Sequence, residues 1–126
     1  MTEARQQLGR RGEDLVASRL TAEGWRIVAR NCRVSAVRGE LDLVAIDRGT
    51  LVFVEVKTMR AGTRFGPETP AAMVGPRKRA KLRALVGAWL RESEVPAHNG
   101  IRCDVVALRL GPNGSPVEWT HIRAAF

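Results

Sequence analysis

The sequence predicts an α/β domain, a central sheet with helices on both faces, and three observations carry that prediction. Residues 41–46 and 51–56 are apolar runs joined by Asp47-Arg48-Gly49-Thr50, a turn signal that marks a β-hairpin. The hairpin is apolar on both faces, as strands covered on each side by helices are. Segments with helical spacing of apolar residues flank it, over 3–23 and 70–92.

Composition narrows the field. The chain has 126 residues, enough for one domain over 1–126 with a core of useful size, and 44% of them are hydrophobic, which argues against disorder. No apolar run reaches the roughly 18 residues of a membrane span, and the N-terminus, Met-Thr-Glu-Ala-Arg-Gln-Gln, lacks the apolar run of a signal peptide. Cys32 and Cys103 stand apart without zinc-site spacing and read as reduced thiols, so the expected location is cytoplasmic. The net charge is +8, and 18 of the 21 basic residues are arginine. A small domain this basic suggests a polyanionic partner, and arginine suits phosphate. A membrane surface is disfavoured, because no basic amphipathic helix also carries exposed Trp or Phe.

Taken in order, residues 3–23 form the first helix, with Leu8, Leu15, Val16 and Leu20 at helical spacing and Gly24 closing it. Gly9 and Gly12 weaken this helix and allow close approach of another backbone. Glu13 shares the stripe of Val16, Ala17 and Leu20, either as an acid at the stripe's edge or as a carboxylate reaching an acidic cluster. Residues 25–34 form the first strand; Arg30, Arg33 and Arg38 follow closely as solvated surface or as a phosphate path. The hairpin is next. Residues 58–69 form a loop carrying Arg60, Arg64 and Phe65, which either grips a nucleic-acid backbone and stacks on it or lids the core. The second helix runs over 70–92, with a break at Gly75-Pro76. Arg77, Lys78, Arg79, Lys81 and Arg83 crowd its first half with no acid among them, which favours phosphate binding over an ordinary solvated face. Residues 93–100 form a loop whose His98 has no assigned role. Strands over 101–110 and 117–123 complete the chain, and Asp104 is expected to pair with an arginine.

The hairpin carries the chemistry. With Arg48-Gly49 as a two-residue loop, Asp42 lies opposite Glu55 and Glu40 opposite Lys57, about 4.5–5.5 Å apart at Cβ. Alternation sends all four to one face. It also puts Leu41, Leu43, Ala45, Val52, Val54 and Val56 on one side, and Val44, Ile46, Leu51 and Phe53 on the other. Carboxylates in such strands are costly unless paired or bound to metal. One reading is an ion-pair cluster in which Lys57 neutralises Glu55 and Glu40. The other is a site for a hard divalent cation such as Mg²⁺, which prefers oxygen ligands, with Lys57 beside it to take a proton from water or to offset charge growing on a phosphate.

Asp42, twelve residues, then Glu55-Val56-Lys57 resembles the PD-(D/E)xK nuclease signature, with Leu41 where proline commonly stands. The text around it, including Gly12-Glu13, Arg30-Asn31, Gly39-Glu40-Leu41-Asp42, Val52-Phe53-Val54-Glu55-Val56-Lys57, Lys81-Leu82 and Asp104-Val105-Val106, resembles the YraN family of uncharacterised bacterial proteins predicted to be endonucleases. That family is similar to archaeal Holliday-junction resolvases. The resemblance implies a restriction-endonuclease-like αβββαβ core with a mixed sheet, Mg²⁺ or Mn²⁺ held by Asp42 and Glu55, and Lys57 as the catalytic lysine. Glu13 matches the first-helix glutamate of resolvase-like members and joins the catalytic set. Glu40 belongs to the family pattern alone, as a supporting group or a partner for Lys57. The expected substrate is DNA, branched or structured forms included, contacted by Arg60, Arg64, Arg77, Lys78 and Lys81; a homodimer is compatible with this reading. The rivals are a DNA-binding module that keeps the acids without cutting, and a basic structural protein of RNA or ribosomes.

Overall fold

A computed structural model describes residues 3–62 and 74–126. The elements are α1 (Glu3–Ala22), β1 (Arg26–Arg33), β2 (Glu40–Asp47), β3 (Thr50–Arg60), α2 (Pro76–Glu92), β4 (Gly100–Leu110) and β5 (Pro116–Ile122). This is the expected αβββαβ order with one further strand, an α/β fold. The five strands lie side by side in chain order, and only β3 and β4 run parallel. A parallel pair needs a crossover, and here it contains α2. No helix among the described residues is long and apolar enough to cross a membrane.

Each sheet face has its own core. Val16, Ala17 and Leu20 of α1 pack on Leu43, Ala45, Val52, Val54, Val106 and Leu108. On the other face, Leu82, Leu85, Val86 and Trp89 of α2 pack on Val44, Leu51, Phe53 and Val105, with Phe53 and Trp89 edge to face at 5.5 Å. Gly12 brings α1 close to β3, for a Cβ there would stand 1.8 Å from Thr58 Oγ1.

The β2–β3 turn is the two-residue one expected. Asp47 pairs with Thr50, and both Arg48 (φ 49°) and Gly49 (φ 86°) are left-handed, the backbone of a type I′ hairpin. The register runs through Ala45–Val52 to Leu43–Val54, where the described pairing of β2 with β3 ends.

Three expectations are corrected. Residues 58–60 belong to β3, since pairing with β4 continues to Arg60 opposite Leu110. The second helix begins at Pro76, where proline fits the first turn because its missing N–H has no partner there anyway. Leu41 does not share a face with Leu43: it enters the α2-side core while Leu43 enters the α1-side core. Alternation is therefore broken between them, at Asp42. Beside it, β1 pairs Arg30 with Leu43 and Cys32 with Leu41, and the intervening Asn31 is left-handed (φ 49°).

Asp104 finds its arginine and more. Fully buried on β4, its carboxylate accepts hydrogen bonds from Arg102 Nε at 2.9 Å and the Ala124 N–H at 3.0 Å, and lies 2.9 Å from His121 Nε2. Burial alone would raise its pKa, but the His121, Arg102 and Ala124 contacts outweigh it and hold the carboxyl below its ordinary value. Cys32 and Cys103 are free thiols, and both are half-buried.

Candidate active site

The break at Asp42 turns its carboxylate out of the regular strand pattern. Asp42 Oδ2 accepts a hydrogen bond from the Val56 N–H at 2.8 Å, just past the point where the β2–β3 ladder stops. From there Asp42 meets Glu13 of α1 and Glu40 at the start of β2. One carboxylate oxygen from each of the three lies within 4.8 Å of the others, and all three residues are half-buried. Such a convergence costs Coulomb energy unless something offsets it. Burial and the nearby Glu55 charge push the Asp42 carboxyl up to about 8, against the pull of the Val56 N–H, and Glu13 adds to the rise.

Asn31 offsets part of the repulsion without adding charge. Its Nδ2 donates to Glu13 Oε1 and to Glu40 Oε1, each at 3.1 Å. The left-handed backbone at Asn31 is one that asparagine tolerates better than most residues. Arg33 Nε lies 3.5 Å from the other Glu40 oxygen.

Glu55 and Lys57 stand beside this trio. Glu55 is 6% exposed, and its Oε1 lies 3.7 Å from Lys57 Nζ and 3.4 Å from Lys78 Nζ. Lys57 therefore pairs with Glu55, whereas the described partners of Glu40 are Asn31 and Arg33. The structure brings together Glu13, Glu40 and Asp42 as oxygen donors; Glu55, expected to share an ion with Asp42, is engaged by two lysines and acts on Asp42 through its charge.

The phosphate-contact residues divide. Lys78 reaches the site from α2, and Lys81 lies against Gly39, where a Cβ would stand 3.1 Å from its Cε. Arg77 is exposed on the first turn of α2. Arg60 is exposed at the end of β3 and lines a cleft that also reaches Glu13. Arg64 and Phe65 lie outside the described residues. The acids open into a cleft of about 650 Å³ whose lining also includes Arg5, Arg10 and Arg33. Arg5 and Arg10 were not legible as site residues, because exposed arginines early in a helix look like solvated surface. Asn31 left one faint signal, an Arg-Asn pair inside an otherwise ordinary strand.

The model of the uncharacterised protein family UPF0102 matches residues 12–108. The chain belongs to this family. UPF0102 proteins similar to it include one from Streptomyces griseus, 45% identical over 114 residues that cover 90% of this chain and 92% of that one. Another, from Frankia casuarinae, is 46% identical over 123 residues and 98% of each chain. A solved structure similar to this UPF0102 chain is that of an fdxN element excision controlling factor protein from Anabaena variabilis, with 14% identity, a TM-score of 0.46, and coverage of 87% of this chain and 98% of that one. The family match spans Glu13, Asn31, Glu40, Asp42, Glu55 and Lys57; Arg5 and Arg10 precede it.

Proposed function

We propose that this UPF0102 chain is a divalent-metal-dependent nuclease that hydrolyses phosphodiester bonds in DNA, with branched or structured DNA as the preferred class. The observation that carries the reading is the convergence of Glu13, Glu40 and Asp42 in a chain of net charge +8. Three carboxylates within reach of one another are a poor arrangement for a basic protein's core and a good one for a hard cation, which takes oxygen ligands. The raised Asp42 carboxyl supports the fit: its negative charge lacks a sufficient counter-charge among the side chains around it. Mg²⁺ or Mn²⁺ would be held by Asp42 with Glu13 and Glu40, and by Glu55 once its lysines release it. The chemistry such an ion supplies when bound is polarisation of the phosphate and activation of a water molecule.

The chain's own groups have distinct tasks in this reading. Lys57, held by Glu55 at the edge of the trio, takes a proton or offsets charge growing on the phosphate. Lys78 and Lys81 hold neighbouring phosphates as point charges. Asn31 keeps Glu13 and Glu40 aligned. In Asn31→Gly the left-handed backbone remains allowed and the amide is lost; Mn²⁺ affinity, measured by calorimetry, is expected to fall roughly 10–100-fold, as it does when a group orienting a metal ligand is removed.

One observation favours the rival of a nucleic-acid-binding protein that does not cut: Glu55, the expected metal ligand, is closed off by two ammonium groups. Incubation with single-stranded, duplex, flapped and four-way-junction DNA, and with RNA, with and without Mg²⁺ or Mn²⁺, separates the two. The proposal expects metal-dependent cutting of at least one DNA, strongest on a structured form. Binding without cutting of any substrate would favour the rival.

A further inference from the structure

Gly9 is a residue that the fold itself does not require. It sits inside α1, where glycine is the weakest helix former after proline. It lies outside the left-handed region, so no turn demands it. Nor does packing: a Cβ built at Gly9 meets no atom within 4 Å, in contrast to Gly12, whose Cβ would collide with Thr58. Glycine with open space over it allows a ligand's backbone to come close.

The space over Gly9 has a definite shape. The acidic cleft of about 650 Å³ is lined by Arg5, Gly9 and Glu13 on the α1 side. A second cleft, of about 440 Å³, is lined by the same three residues together with Leu8, Val56, Thr58, Met59 and Arg60. The two are therefore lobes of one groove that passes along the first half of α1 and meets at Gly9. Arg10 and Arg33 flank the acidic lobe and Arg60 flanks the other, so a run of arginines borders an acidic floor.

We propose that a single, unpaired strand of nucleic acid lies in this groove, its sugar-phosphate backbone crossing Gly9 and its phosphates contacting Arg5, Arg10, Arg33 and Arg60. The inference rests on the nuclease reading and specifies the form of substrate that enters its site. Each lobe falls within the range of about 300–1,000 Å³ typical of pockets that enclose small ligands, a size suited to a few nucleotides of one strand. An intact duplex would ride on the rim. Arginine beside each lobe supplies the charge complementarity that phosphate contacts need. Leu8, Val56 and Met59 give the second lobe an apolar wall for a sugar or a base. In branched DNA, the unpaired or unstacked nucleotides at the branch are what the groove would receive.

The test fills the groove without disturbing the protein. Gly9→Leu adds a side chain where no protein atom stands in the way and removes a helix-weakening residue, so the variant is expected to melt no lower than the parent. Binding of a fluorescein-labelled single-stranded oligonucleotide, followed by anisotropy with Ca²⁺ present, is expected to weaken at least tenfold. Gly9→Ala should give a smaller loss. Ala22→Leu, at an exposed α1 position outside both lobes, should give none. Arg5→Ala and Arg10→Ala should each lower the slope of log K against log salt by roughly 0.7, the single-strand value per phosphate contact. Parallel arms with RNA of the same sequence and with the matching duplex identify the strand that enters. A folded Gly9→Leu protein that binds the single strand as tightly as the parent overturns the groove proposal while leaving the nuclease reading intact. A parent that prefers duplex, with equal losses on both forms, overturns the single-strand assignment. A parent that binds no nucleic acid overturns the nuclease reading itself.

Discussion

In EDTA at pH 8, Asp42→Asn is expected to be at least as stable as the parent, although it replaces a half-buried charged residue with a hydrogen bond to the Val56 N–H. The asparagine side-chain oxygen can still accept that bond, so the change removes charge and little else. The sign follows from the position of the carboxyl, pushed by burial and by Glu55 from 3.8 up to about 8. Between those values the folded protein keeps a proton that the unfolded chain has lost. This contribution is fully present below pH 4 and is lost as pH rises through about 8. Each pH unit within the window removes at most about 1.4 kcal/mol, and less for a carboxyl that is only partly withdrawn from water. The parent should therefore lose stability across this range while Asp42→Asn, which does not titrate, follows a flatter curve. Mn²⁺ at pH 8 should restore the parent, by about 2.7 kcal/mol at a hundredfold excess over its dissociation constant, and restore the variant far less. Thermal melts across pH, with EDTA and with Mn²⁺, measure both. A variant several kcal/mol less stable than the parent in EDTA, together with a parent indifferent to Mn²⁺, would identify Asp42 as half of a structural ion pair.

The second large effect belongs to Lys57. In single-turnover assays, Lys57→Ala is expected to cut on the order of 10²–10³ more slowly, the usual result of removing one group that stabilises charge in the transition state. DNA affinity should change little, because one contact among many is lost. Lys78→Ala provides the contrast. Its ammonium also lies on Glu55, but the side chain is 43% exposed, so stability should change by no more than about 1 kcal/mol. Binding should weaken and lose salt dependence while the cleavage step survives. Equal cleavage by Lys57→Ala and the parent would remove Lys57 from the chemistry.

Much of this architecture was legible because it is local. The Arg48-Gly49 turn sets the hairpin register as far as Leu43 opposite Val54, and Leu82, Leu85, Val86 and Trp89 mark the buried face of α2 through their spacing. Asp42 marks where pattern reading stops. Alternation assumes a regular strand, and the left-handed Asn31 beside a ladder that has ended sends Leu41 and Leu43 to different cores. That local break gathers Glu40 with Glu13 and Asp42, where regular alternation had set Glu40 against Lys57. The parallel β3–β4 pairing depends on contacts about 50 residues apart, such as Leu51 opposite Ile101, which no local pattern encodes. Arg5 and Arg10 became site residues only when α1 was laid across the sheet.

Mn²⁺-soaked crystals, read by anomalous diffraction, test the central claim most directly, since they locate the ion independently of any substrate. The account predicts a peak at the Asp42 carboxylate, within bonding distance of Glu13 or Glu40, that is absent from Asp42→Asn crystals soaked in the same way. Crystals of the parent with no Mn²⁺ at the Asp42 carboxylate at saturating concentration, with Lys57 and Lys78 still closed on Glu55, would contradict it.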